Sequence, residues 1–172
     1  FITTDDARYE APSSWTSLLM HDDGLNGDEV AADAVFSALI PAAVQAHRRL
    51  IRYRLTATDG LGAVARAPYA DDPQPNFAYF CYNGVPVWTG AVQPGNAGSN
   101  GVAFTVSTQE MNRLPVYQLI TKSNEFAEAI GWAPGLPNNK YTGDSYLWTG
   151  TLVVDGEVYD HIGFRCRGGV WR

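Results

Sequence analysis

The stretch YLWTGTLVVDGEVYDHIGFRCRGG, residues 146–169, predicts a long β-hairpin turning on Asp155-Gly156. That dipeptide suits a two-residue turn with left-handed backbone. From Ile162 the pattern has period two. Ile162, Phe164 and Cys166 point one way, and Gly163, Arg165 and Arg167 point the other. This is a half-buried strand with a cationic open face. Gly168 and Gly169 then allow a sharp turn or a close backbone approach. Two guanidiniums beside a Gly-Gly turn can meet a phosphate or a carboxylate. The same pattern also describes an ordinary solvated strand face.

Composition sets the outer bounds. The chain has 172 residues, enough for one domain or two small ones. It is 45% hydrophobic and 12% aromatic, so it can bury a core. The formal net charge is −6, with no basic cluster, which argues against a nucleic-acid partner. No apolar run approaches the roughly 20 residues of a membrane helix. The sequence begins at Phe1 with no signal peptide, so both ends read as cut from a longer protein. Cys81 and Cys166 lie far apart, each in an apolar pattern. They can form one bridge or remain buried thiols. Without CxxC or a Cys/His cluster, a structural zinc site is not indicated.

The first half reads mainly as β. RRLIRYRLTATDG, 48–60, alternates an apolar face (Ile51, Tyr53, Leu55, Ala57) with a mostly cationic or polar one (Leu50, Arg52, Arg54, Thr56, Thr58). AYFCYNGVPVWTG, 78–90, predicts a hairpin about Asn83-Gly84, with Pro86 putting its second strand at an edge or bulge. Residues 90–101 read as loop and VAFTVST, 102–108, as a strand. DEVAADAVFSALI, 28–40, is ambiguous. Its alanines suit a helix ended by Pro41. The Asp- and Gly-rich turn before it, and the alternation of Val35, Ser37 and Leu39, suit a strand from Val35 to Ile40. Further on, PVYQLIT, 115–121, predicts a strand. Ser123 is placed to cap a helix, with Glu125 in the first turn and Gly131 closing it. Residues 133–145 read as loop, and the change of element order puts a boundary near Met111–Leu114.

Candidate chemistry is sparse. Asp22, Asp23, Asp28 and Asp33, with Asn26 between, offer the oxygen ligands calcium prefers, though not in EF-hand spacing. Aspartates are equally normal turn formers. His21, His47 and His161 form no metal-binding motif. GxSxG, GxGxxG, the phosphate-binding GxxxxGK[ST] loop and the protein-kinase HRD and DFG signatures are absent. Tyr79, Phe80, Tyr82 and Trp88 suit either a sugar-stacking platform or a sandwich core.

Two segments carry resemblances. LLMHDDGLNGDEVAADAVFSALIP, then RYRLTATDGLGA, resembles a β-sandwich module of large bacterial secreted proteins over residues 18–63. That resemblance favours the strand over the helix at 28–40. LPVYQLITKSNEFAEAIGW, then YTGDSYLWTGTLVVDGEVYDHIGFRCRGG, resembles the beginning of the CotH kinase family over about residues 114–172. Val153, Val154, Asp155, Gly156, Glu157, Val158, Tyr159, Asp160, Ile162, Gly163, Arg165 and Gly168 fit its hairpin pattern. The sequence departs from it at Arg167, where the family has Lys, and at Gly169-Val170-Trp171, where it has Asn-Ser-Ser.

Together these imply a mainly β (α+β) chain. An incomplete immunoglobulin-like or fibronectin-like β-sandwich (1–110) would precede a strand–helix–hairpin beginning of an atypical kinase lobe (111–172). The implied protein is bacterial, extracellular or at the cell surface. Its full-length form would transfer phosphate from ATP, with Mg or Mn, to protein serine. Arg165, Arg167, Gly168 and Gly169 would lie on the nucleotide side. The family's catalytic residues would lie beyond residue 172, so none is assigned here and the segment itself would be inactive. The alternative is a non-catalytic sandwich module that binds glycan or protein, or a structural spacer. Calcium in the Asp22–Asp33 turn is compatible with either.

Overall fold

The computed structural model describes residues 1–3, 14–91, 103–129 and 147–165. The chain divides into two compact units, Phe1–Tyr82 and Asn83–Arg172. The fold is a mixed α/β one, with several antiparallel sheets and, among the described residues, two short helices; it is not closed into a barrel.

In the first unit, β1 (Ile2–Thr3), β2 (Arg49–Tyr53) and β5 (Phe77–Cys81) form one sheet in the order β1-β2-β5. β3 (Leu55–Thr58) and β4 (Val64–Ala67) form a separate ribbon. β2 is the central strand and is covered on both faces. Leu50 and Ile51 are fully buried, and so is Arg52. The cationic face expected along 48–60 is therefore not open at Arg52. The expected single strand also breaks at Arg54. That residue lays its guanidinium 3.5 Å from the centre of the Trp15 ring and donates from Nε to Asn76 Oδ1 at 3.0 Å. A planar cation on an aromatic face is favourable, and the contact fixes the side chain at the bend. Beyond it, all four residues of β3 are exposed.

The predicted 78–90 hairpin does not form. β5 pairs with β2, in register Leu50 to Phe80 and Ile51 to Tyr79. β6 (Trp88–Ala91) pairs instead with β7 (Ala103–Val106). Pro86 explains part of this. It has no N–H for a ladder, the second strand starts only at Trp88, and 82–87 is too long for a two-residue turn. On the β6–β7 ribbon the Trp88 indole lies over Gly90, where a β-carbon would collide with it, and Phe104 packs edge-on at 5.3 Å.

The second unit carries the clearest sequence signal. β8 (Tyr117–Ile120), β9 (Trp148–Val154) and β10 (Glu157–Phe164) form a sheet in the order β10-β9-β8. The turn is where the sequence places it, with Asp155 at φ 51° and Gly156 at 84°. The register then shifts between Tyr159 and Ile162, so that Asp160 and His161 together oppose Thr151. This bulge resets the alternation. It puts Ile162 and Phe164 opposite Gly150 and Trp148, with Gly163 exposed between them as the period-two reading expects; Arg165 is half-buried, and Cys166 and Arg167 lie outside the described residues. The helix α2 (Ser123–Ala129) packs on β9, with Glu125 in its first turn, and Trp148 Nε1 donates to Glu128 at 3.3 Å. Ser123 is the first helical residue rather than the cap. Gly131 and the 133–145 loop lie outside the described residues.

A further helix, α1 (Thr108–Met111), follows β7. Ser107 and Glu110 form a reciprocal capping box at its start. The S-x-x-E spacing of Ser107-Thr108-Gln109-Glu110 is the signal that announces it.

Candidate functional site

Residues 21–40 form neither the helix nor the strand. One antiparallel bridge joins His21 and Ser37, which exchange backbone hydrogen bonds of 2.8 and 2.9 Å. The expected Val35–Ile40 strand is reduced to that pair, and in the loop between His21 and Ser37 aspartate side chains take backbone amides. Asp22 accepts from the Asp33 and Ala34 amides at 3.1 and 2.9 Å. Asp28 accepts from Gly24 at 2.6 Å, Asp23 from Leu25 at 3.0 Å and Asp33 from Val35 at 2.9 Å. Gly24, Asn26, Gly27, Ala32 and Ala34 all have positive φ, and so tight a path excludes regular structure. At Gly27, φ 99° favours glycine, and an added β-carbon would push against the exposed Leu39 side chain.

The loop brings three of the four predicted ligands together. One carboxylate oxygen each from Asp22, Asp28 and Asp33 lies within 4.8 Å of the other two. Asp28 is buried, Asp22 half-buried and Asp33 exposed. Asp23 is exposed and outside this set; its carboxylate lies 4.0 Å from His21 Nδ1. A carboxylate has about four acceptor positions. The amide bonds occupy one or two on each residue, leaving lone pairs for a cation. The cluster can hold a metal ion.

The other predicted sites are dispersed. Arg165 lies just past β10 and is half-buried. Arg167, Gly168 and Gly169 lie outside the described residues, as does Cys166. Cys81 is a half-buried free thiol on β5. The four aromatics do not form one platform. Tyr79 packs against Tyr53 at 6.4 Å, and its phenol is held above the ordinary value, chiefly by burial and then by Cys81 and Tyr53. Tyr82 stacks with Phe80 and His47 at 5.9 and 5.5 Å. Trp88 belongs to the other unit and packs on Phe104.

One arrangement has no counterpart in the sequence reading. The buried Asp160 carboxylate accepts from the buried Thr151 hydroxyl at 2.5 Å and from the His161 amide at 3.0 Å. Its second oxygen lies 3.2 Å from His161 Nδ1. Nothing in a linear pattern announces this, since a bulge is what puts both residues opposite Thr151.

Among the described residues, no helix is long and apolar enough to cross a membrane. Comparison with known proteins gave no match, whether to a family model, to a curated protein or to a solved structure.

Proposed function

We propose that the first unit is a non-catalytic, calcium-organised binding module of a secreted or cell-surface protein, with an incomplete β-sandwich as its scaffold. The observation that carries this reading is the convergence of Asp22, Asp28 and Asp33. Like charges this close repel, and a divalent ion offsets that repulsion. A calcium coordination sphere is about 4.6–5.2 Å across, set by Ca–O distances of about 2.3–2.6 Å, and the ligand oxygens lie within 4.8 Å of one another. Water and backbone carbonyls would complete the six to eight ligands calcium takes. A protein or glycan partner is supported by the exposed apolar residues of the same segment, including Leu19, Leu25, Val35, Phe36 and Leu39. The test is calorimetric titration with calcium alongside thermal melting. Binding stabilises by about 2.7 kcal/mol at a hundred times Kd, and Asp28→Asn removes the effect. No heat and no thermal shift at millimolar calcium would sink the reading.

A second reading is favoured by one specific observation. Among the described residues, β8, α2 and the β9–β10 hairpin follow in the order strand, helix, hairpin, the order of the CotH-like beginning. On this reading the parent protein transfers phosphate from ATP to protein serine with Mg or Mn, and this segment alone does not. Phosphoryl transfer needs a carboxylate-held metal, a cation on the phosphates and a group that positions the hydroxyl. The hairpin offers at most the cation, from Arg165 and Arg167, beside Gly168 and Gly169. Of its aspartates, Asp155 forms the turn and Asp160 is buried on Thr151. Incubating the 172-residue chain with labelled ATP, either metal and a serine-rich acceptor gives no transfer above background. Transfer abolished by Arg165→Ala would show an active site complete within the segment.

A further inference from the structure

We propose that Asp160 and His161 form a proton-responsive latch on the β9–β10 hairpin, closed when the imidazole carries a proton and loosened when it does not. The bulge places the parts. His161 has φ 53°, a left-handed conformation that is costly for a residue with a β-carbon. Such a conformation persists only where surrounding contacts hold it. Here those contacts centre on Asp160, whose side chain is 1% exposed and whose oxygens face Thr151, the His161 amide and the imidazole. A carboxylate this buried is costly unless donors and positive charge compensate it. The imidazole lies against it, with 22% of its side-chain surface in solvent, although Nδ1, the nitrogen facing the carboxylate, is itself buried.

The linear arrangement of hydroxyl, carboxylate and imidazole does not make a nucleophilic site, because Thr151 is fully buried and no substrate can reach it. Among the described residues, the charged groups on the neighbouring elements are few. β8 and β9 carry no charged residue. On β10, Glu157 accepts from the Tyr159 hydroxyl. On α2, which packs on β9, Glu128 accepts from Trp148 and Glu125 pairs with Lys122 at 3.4 Å. Arg165 follows β10.

The sign follows from the contact. A carboxylate touching the ring favours the imidazolium, so the folded state holds the proton more tightly than the unfolded chain. The stabilisation is complete below the unfolded value of about 6.5 and is lost as pH rises through the higher folded value.

The experiment is an NMR titration of the His161 ring in the full chain, with hydrogen exchange of the β10 amides at pH 5.5 and 8. We expect His161 to bind its proton about tenfold more tightly than in an unstructured peptide of the same local sequence. After correction for the intrinsic rate, β10 amides exchange more slowly at the lower pH. Asp160→Asn removes the tenfold gain. His161→Asn, a residue that tolerates left-handed φ, removes the pH dependence of exchange. If Asp160→Asn does not fold, the wild-type titration decides alone. Wild-type His161 titrating at or below the peptide value, or corrected exchange independent of pH, overturns the proposal.

Discussion

Residues 21–40 and 147–165 both turn the chain on aspartate and glycine, yet only the second becomes a sheet. In the hairpin, Asp155 and Gly156 adopt left-handed φ at the turn, and backbone then pairs with backbone over seven residues of β9 and eight of β10. In the 21–40 arm, backbone pairs with backbone at the His21–Ser37 bridge and in one turn bond from the Asp28 amide to the Leu25 carbonyl, and carboxylates take the amides of Gly24, Leu25, Asp33, Ala34 and Val35. The hairpin buries Trp148, Thr151 and Val153, while the arm leaves Leu25, Val35, Phe36 and Leu39 more than half exposed. Packing should therefore dominate the stability of one region, and side-chain electrostatics that of the other.

The largest expected effect tests the packing side. Trp148 is 7% exposed, packs on Phe164 at 6.4 Å and donates to Glu128. Trp148→Ala should cost about 3–5 kcal/mol in the unit that holds the hairpin. The matched change in the arm, Phe36→Ala, removes a ring that is 58% exposed and should cost no more than about 0.5 kcal/mol. Denaturant melts of both variants check the pair. Equal losses would break the comparison.

The next effect tests the electrostatic side. Asp22→Ala removes an acceptor from two amides, Asp33 and Ala34. We expect a loss of about 1 kcal/mol, read as faster hydrogen exchange confined to those two amides and their neighbours. If exchange there is unchanged while the bridge at Ser37 holds, the carboxylates are passengers and the arm is held by something else.

The two regions also differ in how far their sequences announced them. A two-residue turn between alternating runs is a local signal, and the hairpin, β7, β8 and α2 were all legible from local signals. The arm was not, because its aspartates reach 11 and 12 residues along the chain, from Asp22 to Asp33 and Ala34. Strand pairing failed for a related reason. Asn83-Gly84 is a good hairpin dipeptide, yet β5 has its partner in β2, far back in the sequence. Arg52 reads as a solvated cation because alternation says nothing about how many faces of a strand are covered. At the candidate cation site composition alone picked out Asp22, Asp28 and Asp33, but only the folded loop separates them from Asp23.

The smallest effect isolates the arm's device elsewhere in the chain. At α1, the Ser107–Glu110 capping box adds side-chain bonds to the backbone bonds of a four-residue helix that has no buried residue. The Ser107 hydroxyl donates to Glu110 Oε2 at 2.7 Å, and the Ser107 amide donates to the same oxygen at 3.0 Å. Those two bonds, the hydroxyl first, hold the Glu110 carboxyl below its ordinary value of 4.5. A carboxyl whose folded value is depressed contributes stability that is present above the unfolded value and lost as pH falls through the folded one. The helix should therefore be at full strength above about pH 5 and should fray below 4.5, with the loss completed lower still. Cα chemical shifts of Thr108–Met111, followed from pH 6 to pH 3, are the measurement. Ser107→Ala removes the N-cap, so those shifts should move toward coil values at pH 6, with the helix weakened about fivefold. The acid-induced change in the variant should shrink with it. A variant whose shifts still change with pH as the wild type's do would mean that Glu110 acts through the helix dipole and not through the cap. The carboxylate-to-amide bond would then be a weaker organiser than the arm at 21–40 requires.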